Sequence, residues 1–293
     1  MPELPDLAIL ADAFHAALTG RPVVAAEAPG PLTVRGTPSE LSGLIGQRLR
    51  RFSRRGKFLR LELDRDHVVI NAMLTGRLQL APNATTKRPQ KTLFILRFGA
   101  RAKGPPEDAA DWTRDAAWIP ADDALPELRY RDPTQMGKVY LLPSGVVRPV
   151  PGASENEMGP DADDPTLTLE VWRDRIRRHP GELKNLLRNQ VFVAGIGNAY
   201  SDEILHAARL LPLRKRGTLA PEEVDELYAA TRATLADAIA VLRDRVPPTF
   251  ETEIREFLAV HNRGGEACPR CGQRISQTEA GGFVTSYCRH CQS

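Results

Sequence analysis

The sequence lacks the features of a membrane or exported protein. It has no run of about eighteen consecutive apolar residues, the length that crosses a bilayer as a helix. Its first ten residues, MPELPDLAIL, carry two acidic side chains and no basic one, unlike a secretory signal. We therefore expect a cytoplasmic protein. Cysteine is also scarce: the four cysteines among 293 residues all follow residue 267, and such crowding is unlike a disulfide framework.

A large excess of charge is absent too. Forty Lys and Arg residues stand against 37 Asp and Glu residues, and a net charge of +3 does not by itself predict a polyanionic partner. The 24 prolines and 22 glycines are scattered among apolar segments, which argues against wholesale disorder. With 42 % hydrophobic residues and this length, the chain can bury a full core and form about two domains.

The apolar pattern divides the chain into a β-rich part and a helical part. Residues 5–18 have apolar side chains at helical spacing, and residues 22–147 contain short alternating runs that predict a β-sandwich or barrel packed on that helix. Residues 99–119 fit neither period and predict a long surface loop. Helical patterns follow a polar, proline-rich linker; they cover residues 167–178, 181–190, 198–210, 221–243 and 252–260.

These patterns predict an α+β, multidomain chain. The N-terminal β-sandwich with its leading helix covers residues 1–147, and the linker covers residues 148–164. A helical domain follows over residues 165–262, and residues 263–293 form a cysteine-bearing tail.

The cysteines form the most specific motif. Two C-x2-C pairs, separated by sixteen residues, are the spacing that brings four thiolates to one tetrahedral point, as in a structural zinc site. We expect one structural Zn²⁺, and it would supply most of the stability of so short a tail. Two disulfides are the alternative, and His290 is a weaker candidate ligand. The predicted ligands are Cys268, Cys271, Cys288 and Cys291.

Two further segments predict contact with a polyanion. Residues 48–60, RLRRFSRRGKFLR, hold seven basic side chains and no acidic one, and could follow a phosphate backbone; a solvated basic face is the alternative. A G-x-G-N turn directly precedes a helix that Asn198 would cap, and such a terminus attracts phosphate; an ordinary break between two helices is the alternative. The preceding helix adds Lys184 and Arg188 as cations.

The start of the chain is a candidate reagent. If Met1 is removed, as a small second residue generally allows, Pro2 becomes a secondary amine that is partly neutral at physiological pH. Attack on an aldehyde carbon would give an iminium ion, which acts as an electron sink for elimination. Glu3 could transfer protons, and Lys57 could donate one or hold a phosphate. Each residue also has an ordinary structural explanation, as a helix-terminal or surface charge.

Four separated motifs together resemble the Fpg/Nei family, the formamidopyrimidine-DNA glycosylases. They are PELP at the start, RRGKFLRLEL, the G-x-G-N turn with its helix, and the cysteine pairs. The resemblance spans nearly the whole chain. It implies a DNA repair enzyme with an N-terminal catalytic β-sandwich, a helix-two-turn-helix domain and a zinc finger. Such an enzyme flips a damaged base out of the duplex, cuts its glycosidic bond and nicks the abasic strand.

The resemblance also implies roles for single residues. Pro2 resembles the Schiff-base nucleophile, Glu3 the general acid and base, and Lys57 the lysine that contacts phosphate and donates a proton. Asn198 and Lys184 resemble the helix-two-turn-helix residues that hold backbone phosphates. The implied partner is double-stranded DNA with oxidised bases or abasic sites, bound by a monomeric bacterial enzyme associated with the nucleoid.

Some predicted DNA-binding positions depart from the family pattern. Leu74 stands where a methionine commonly fills the gap left by the flipped base, and it keeps an apolar wedge. Thr134 and Met136 replace an Arg-x-Phe pair, so the arginine that faces the opposite base is lost. Phe283 stands where an arginine usually reaches the phosphate at the lesion, which predicts weaker δ-elimination than β-elimination unless another cation substitutes. Gln90 aligns loosely with a DNA-contacting histidine.

The resemblance therefore predicts a bifunctional DNA glycosylase and abasic-site lyase of base excision repair. Oxidised purines, such as 8-oxoguanine and formamidopyrimidines, are the first expected substrates. A Nei-like preference for oxidised pyrimidines is one alternative. A protein that binds damage without excising it is the other.

Overall fold

The computed structural model describes residues 1–154, 156–280 and 282–293, which divide into two compact units. Unit 1 contains Met1–Pro151 with Val241–Glu253, and unit 2 contains Gly152–Ala240 with Ile254–Ser293. The larger sheets belong to unit 1 and most helices to unit 2, so the predicted α+β class is confirmed. Glu155 of the predicted linker lies outside the described residues. The predicted domain boundaries stay predictions.

Unit 1 combines the long helix α1 (Leu4–Leu18) and the short helix α2 (Pro38–Gly43) with two sheets. The strands are β1 (Val23–Glu27), β2 (Val34–Arg35), β3 (Leu49–Arg55), β4 (Phe58–Leu63), β5 (His67–Asn71), β6 (Arg77–Ala81), β7 (Thr92–Phe98), β8 (Glu127–Arg131) and β9 (Lys138–Leu142). One sheet has the order β1-β7-β8-β6 and the other β2-β9-β5-β4-β3. The alternating runs therefore form strands, as predicted.

Strand alternation sorts the basic segment into a buried and an exposed side. Phe52 on β3 pairs with Leu61 on β4, and both side chains are buried, whereas Arg51 is exposed. The turn between the strands contains Gly56 at φ +54°, a left-handed conformation that glycine adopts without steric cost. The apolar side chains of the basic segment therefore enter the core, and its basic side chains remain outside it.

Helix α1 is fixed against β3 by packing and by hydrogen bonds. The rings of Phe14 and Phe52 lie 5.4 Å apart. The backbone N–H of Phe52 donates to His15 Nδ1 at 3.2 Å, which assigns the ring proton to Nε2, 2.9 Å from Asp108 Oδ1. Because both ring nitrogens have partners, α1 cannot slide along β3 without losing them.

The predicted loop over residues 99–119 contains one turn of 3-10 helix, at Asp111–Thr113, and is anchored to α1. Its anchor is Arg21, whose side chain is fully buried. The Arg21 guanidinium donates to the backbone carbonyls of Ala17, Gly99, Pro120, Ala121, Asp122 and Ala124. A buried cation is tolerated only when its hydrogen bonds are made, and here they join Gly99, at the start of the loop, and residues 120–124, directly after it, to the end of α1.

Unit 2 contains the helices α3 (Leu169–Arg178), α4 (Leu183–Arg188), α5 (Asn198–Ala207) and α6 (Pro221–Arg245), and the hairpin β10 (Ser276–Ala280) and β11 (Phe283–Tyr287). The last residues of α6 belong to unit 1. The buried ring of Trp172 packs on Phe192, 4.9 Å away. In the described ranges, none of the helices has both the length and the apolar character that crossing a bilayer requires.

The helix predicted for residues 252–260 is wrong, because this segment forms only turns and bends. The backbone N–H groups of Ala259, Val260 and His261 donate to the Glu203 carboxylate on α5, at 2.7, 2.9 and 2.8 Å. N–H groups that bind a carboxylate cannot also donate to helical carbonyls. A tertiary contact therefore overrides the local apolar spacing.

The Arg21→Leu substitution should strongly destabilise unit 1, because several loop carbonyls would lose their donor at once. We expect the free energy of unfolding to fall by at least about 3 kcal/mol, since each buried unsatisfied group costs about 1–3 kcal/mol. Urea unfolding measures the change. The control is Arg50→Leu, which removes an exposed ion pair with Asp64 and should cost less than about 1 kcal/mol. Equal losses in the two variants would contradict the anchoring role of Arg21.

Candidate functional site

The first residues of the chain are held at the start of α1 among acidic groups. Pro2 is buried, and Glu3 is 2 % exposed. The backbone N–H of Glu3 donates to Asp6 Oδ2 at 2.8 Å, which fixes the first turn. The terminal ammonium of Met1 lies 3.4 Å from Glu253 Oε1. Removal of Met1 would place the secondary amine of Pro2 directly before α1, next to the Glu3 residue.

Lys57 lies on the tight turn that joins β3 and β4, and its side chain is half-buried. Arg54 Nη1 donates to the Gly56 carbonyl at 3.3 Å, which supports the turn. The turn follows β3, the strand on which α1 packs. A lysine on a turn rich in arginine suits the binding of an anion.

The carboxylate of Asp132, which is fully buried, organises the loops at one end of the sheets. It accepts hydrogen bonds from the Thr75 hydroxyl, from the backbone N–H of Thr134 at 3.2 Å and from the backbone N–H of Gly137 at 2.8 Å. Burial alone would raise the pKa of Asp132, but these donors outweigh it and hold the pKa below its usual value. Gly137 has no room for a side chain, since a Cβ there would lie 2.0 Å from the Tyr130 hydroxyl.

The loops that meet at Asp132 carry the predicted DNA-binding residues of unit 1, which are Leu74, Gln90, Thr134 and Met136. The hydroxyls of Thr75 and Thr134 lie 2.7 Å apart, so the turn with Leu74 is joined to the loop with Met136. The backbone N–H of Asp132 donates to the Lys91 carbonyl at 3.0 Å, which brings the exposed Gln90 beside them. Leu74 and Met136 are each 46 % exposed. Sequence reasoning missed Asp132, whose carboxylate joins two nearby residues to Thr75, 57 residues away.

In unit 2, Lys184, Asn198 and β11 come together. Asn198 Nδ2 and Lys184 Nζ donate to the backbone carbonyl of Val284, at 2.9 and 2.7 Å. Asn198 is the first residue of α5, and Gly197 is the N-cap, so the predicted capping role of Asn198 is wrong. Its side chain bonds to β11 instead, and its Oδ1 is buried without a hydrogen-bond partner in the described part of the chain.

Two carboxylates of α5 that the sequence analysis missed hold this arrangement. Asp202, which is fully buried, accepts from Lys184 Nζ at 2.6 Å, from His261 Nδ1 at 2.8 Å and from the Ser286 backbone N–H at 3.1 Å. Burial raises the pKa of Glu203, and its three backbone donors partly offset that effect. The available signal was a pair of adjacent acidic residues inside a helix predicted to pack an apolar face.

Phe283 is the first residue of β11, and its side chain is 43 % exposed. The guanidinium carbon of Arg188, at the end of α4, lies 3.7 Å from the centre of the Phe283 ring. This distance is typical of a cation–π contact. The predicted DNA-binding residue Phe283 therefore carries a cation on its face.

The four cysteines form one cluster, with all sulfur atoms within 4.8 Å of one another. Cys268 and Cys291 sulfurs are 3.9 Å apart, and Cys271 and Cys288 sulfurs are 3.6 Å apart. Tetrahedral Zn–S bonds of about 2.3 Å require sulfur separations of roughly 3.8 Å, so the cluster fits one structural zinc ion. The exposed His290 is not a member of the cluster. His206 Nε2, 3.4 Å from Cys268 Sγ, can donate to that thiolate.

Three family models match the chain. They are the formamidopyrimidine-DNA glycosylase N-terminal domain over residues 1–139, the formamidopyrimidine-DNA glycosylase H2TH domain over residues 158–246, and the zinc finger found in FPG and IleRS over residues 265–293. The last match supports the structural zinc.

Individual proteins are also similar to this chain over its whole length. The formamidopyrimidine-DNA glycosylases of Pelotomaculum thermopropionicum and Heliobacterium modesticaldum are 30 % and 32 % identical to this chain; the alignments cover all of it and 99 % and 100 % of those proteins. The crystal structure of Lactococcus lactis Fpg in complex with abasic-site DNA has a TM-score of 0.81 at 24 % identity, covering 99 % of both chains. This last likeness shows a shared fold.

The zinc assignment predicts opposite results for two neighbouring substitutions. Cys288→Ser removes a buried ligand, so the purified protein should lose most of its zinc, and the finger should unfold at a lower temperature. His290→Ala removes an exposed imidazole outside the cluster and should keep one equivalent. Elemental analysis of both proteins measures the zinc content. Retention of one equivalent by Cys288→Ser would contradict a four-sulfur site.

Proposed function

Because the chain belongs to the formamidopyrimidine-DNA glycosylase family, we propose that it both excises oxidised purines from duplex DNA and nicks the resulting abasic strand. Its membership makes it a DNA glycosylase of base excision repair. The observation that carries the proposal is the position of Pro2, buried at the start of α1 and directly before Glu3. Once Met1 is removed, this geometry leaves a secondary amine beside a carboxyl group.

In the proposed first step, the Pro2 nitrogen attacks C1′ of the damaged nucleotide, and the bond from C1′ to the base breaks. The leaving base and the ring oxygen O4′ each need a proton. The N–H of Pro2 supplies one, and the protonated carboxyl of Glu3 supplies the other. The sugar opens, and C1′ becomes part of a positively charged iminium ion.

The iminium ion then acts as the electron sink for strand cleavage. Transfer of a proton from C2′ to the Glu3 carboxylate, which lost its own proton in the first step, lets the 3′ phosphate leave; this is the β-elimination step. Water finally hydrolyses the iminium and restores the free amine of Pro2. Lys57, on the basic β3–β4 turn, would hold a phosphate beside the reacting sugar, where a cation lowers the energy of the leaving anion.

Further residues are proposed to bind the DNA around the lesion. Leu74, held on its loop through Thr75 and Asp132, would fill the space left by the flipped base. Asn198, at the start of α5, would bind a phosphate. Lys184 is 3 % exposed and pairs with Asp202, so its proposed contribution is to position β11 and Asn198 for that contact.

Borohydride trapping on an abasic-site duplex tests the covalent step. The parent protein should form a stable adduct through Pro2, and Pro2→Gly should form far less of it, because a flexible primary amine replaces the ring-held secondary amine that gives a permanently charged iminium ion. Lys103→Ala is the matched control: it removes an exposed amine, 85 % accessible, and should leave the adduct unchanged. A parent protein that binds damaged duplex without an adduct would favour the damage-binding alternative.

A lesion panel tests the substrate class and the role of Thr134. We expect 8-oxoguanine to be excised at similar rates opposite all four bases, because Thr134 cannot supply a charged donor to the opposite base. Thr134→Arg should create a preference of about tenfold or more, the size of one charge-assisted hydrogen bond. A strong preference of the unmodified protein for one opposite base would contradict this expectation for Thr134. Faster excision of oxidised pyrimidines would support the Nei-like alternative.

A further inference from the structure

The contact between Arg188 and Phe283 joins two elements that are remote in the sequence. Phe283 begins β11, and Arg188 ends α4, one helical turn after Lys184. The guanidinium carbon lies 3.7 Å from the ring centre, which is van der Waals contact over the face of the ring. The phenyl side chain is 43 % exposed, so the pair lies at the surface of unit 2.

Hydrogen bonds made by neighbouring residues fix the elements that carry the two partners of this contact. The residue after Phe283 is Val284, whose carbonyl accepts from Lys184 Nζ at 2.7 Å and from Asn198 Nδ2 at 2.9 Å. These bonds fix the start of β11 against α4 and α5. A side chain stacked on a fixed ring loses most of its rotamer freedom before any ligand arrives, which lowers the entropic cost of binding.

Stacking and anion binding use different parts of a guanidinium group. The flat face lies on the aromatic ring, whereas the N–H bonds point outward in the guanidinium plane, in a fork that matches phosphate oxygens. Lys184 is 3 % exposed, and its Nζ bonds to Asp202 Oδ1 at 2.6 Å, so its ammonium group does not reach the surface of unit 2. Arg188 is therefore the better placed cation of this cluster.

We propose that Arg188 binds a DNA phosphate at the lesion and that Phe283 is its positioning residue. This proposal rests on the proposed function, and it identifies the substitute for an arginine that the resemblance places at position 283. The positive charge comes from α4 instead of from the finger, and the finger supplies the aromatic platform. Arg188 thus becomes a phosphate ligand of the repair reaction.

The first test measures binding of the zinc-loaded, full-length protein to a duplex with a tetrahydrofuran abasic analogue over a range of salt concentrations. Arg188→Leu should weaken binding about tenfold or more and should lower the slope of log K against log salt by about 1. The control is Arg178→Leu on α3, where the replaced side chain is 70 % exposed and pairs with Asp174; affinity and slope should stay unchanged. An Arg188→Leu protein with parental affinity and slope would overturn the proposal.

The second test separates positioning by Phe283 from a purely structural role. Phe283→Leu should weaken binding, and Phe283→Tyr should retain it, because the ring face is kept. Phe283→Leu should add little in the Arg188→Leu background, since the residue it positions is already gone. Phe283→Arg combined with Arg188→Leu should recover most of the lost affinity and salt slope. Failure of this rescue in a folded, zinc-loaded double variant would count against the proposal.

Different results would refute the proposed glycosylase and lyase function and the proposed role of Arg188. Binding is measured on an analogue that cannot be cleaved, so a chain that binds without forming the Pro2 adduct would refute the lyase step and still show the effect of Arg188→Leu. Conversely, a parent that excises 8-oxoguanine while Arg188→Leu binds normally would refute only the role of Arg188.

Discussion

The buried carboxylate of Asp202 is the interaction on which the arrangement of unit 2 depends. A charge removed from water is tolerated only if it is fully hydrogen-bonded, and Asp202 finds donors in α4, in β11 and in the segment after α6. The Ser286 N–H that it binds is 84 residues away in the sequence. One carboxylate therefore fixes the finger hairpin relative to both short helices.

A second carboxylate has the same effect in unit 1. The Asp132 carboxylate accepts hydrogen bonds from Thr75, Thr134 and Gly137. These bonds fix the positions of loops that have no regular secondary structure. Loops usually vary in conformation because they have few internal bonds. Here the exposed Leu74 and Met136 gain a defined position from a buried neighbour.

The sequence is most informative where the determining contacts are local. Strand alternation in residues 57–63, the helical spacing of α1 and the two C-x2-C pairs each appear within a short window, and each prediction agrees with the structure. The failures have one physical cause. The segment 252–260 has helical spacing, but Ala259 and Val260 at its end donate their N–H groups to Glu203, 56 and 57 residues away, and Asn198 bonds to Val284 instead of capping its helix. Residues that act through remote partners leave no local pattern.

The stacked pair of Arg188 and Phe283 connects the structural zinc to the proposed DNA contact. The cysteine pairs flank the β10–β11 hairpin, and the tail is too short to hold that hairpin by a core of its own. Phe283 keeps its place only while the hairpin is folded, and the orientation of Arg188 follows from the ring beneath it. The closed metal site thus supports the ring on which Arg188 of α4 is stacked, at the proposed phosphate contact. The position of an arginine on the finger itself would depend on the hairpin alone. The position of Arg188 on the Phe283 ring instead requires α4 and β11 to lie in a fixed arrangement. The Lys184 and Asn198 bonds to the Val284 carbonyl supply that arrangement, which gives both donors a positioning role in addition to the phosphate contact proposed for Asn198.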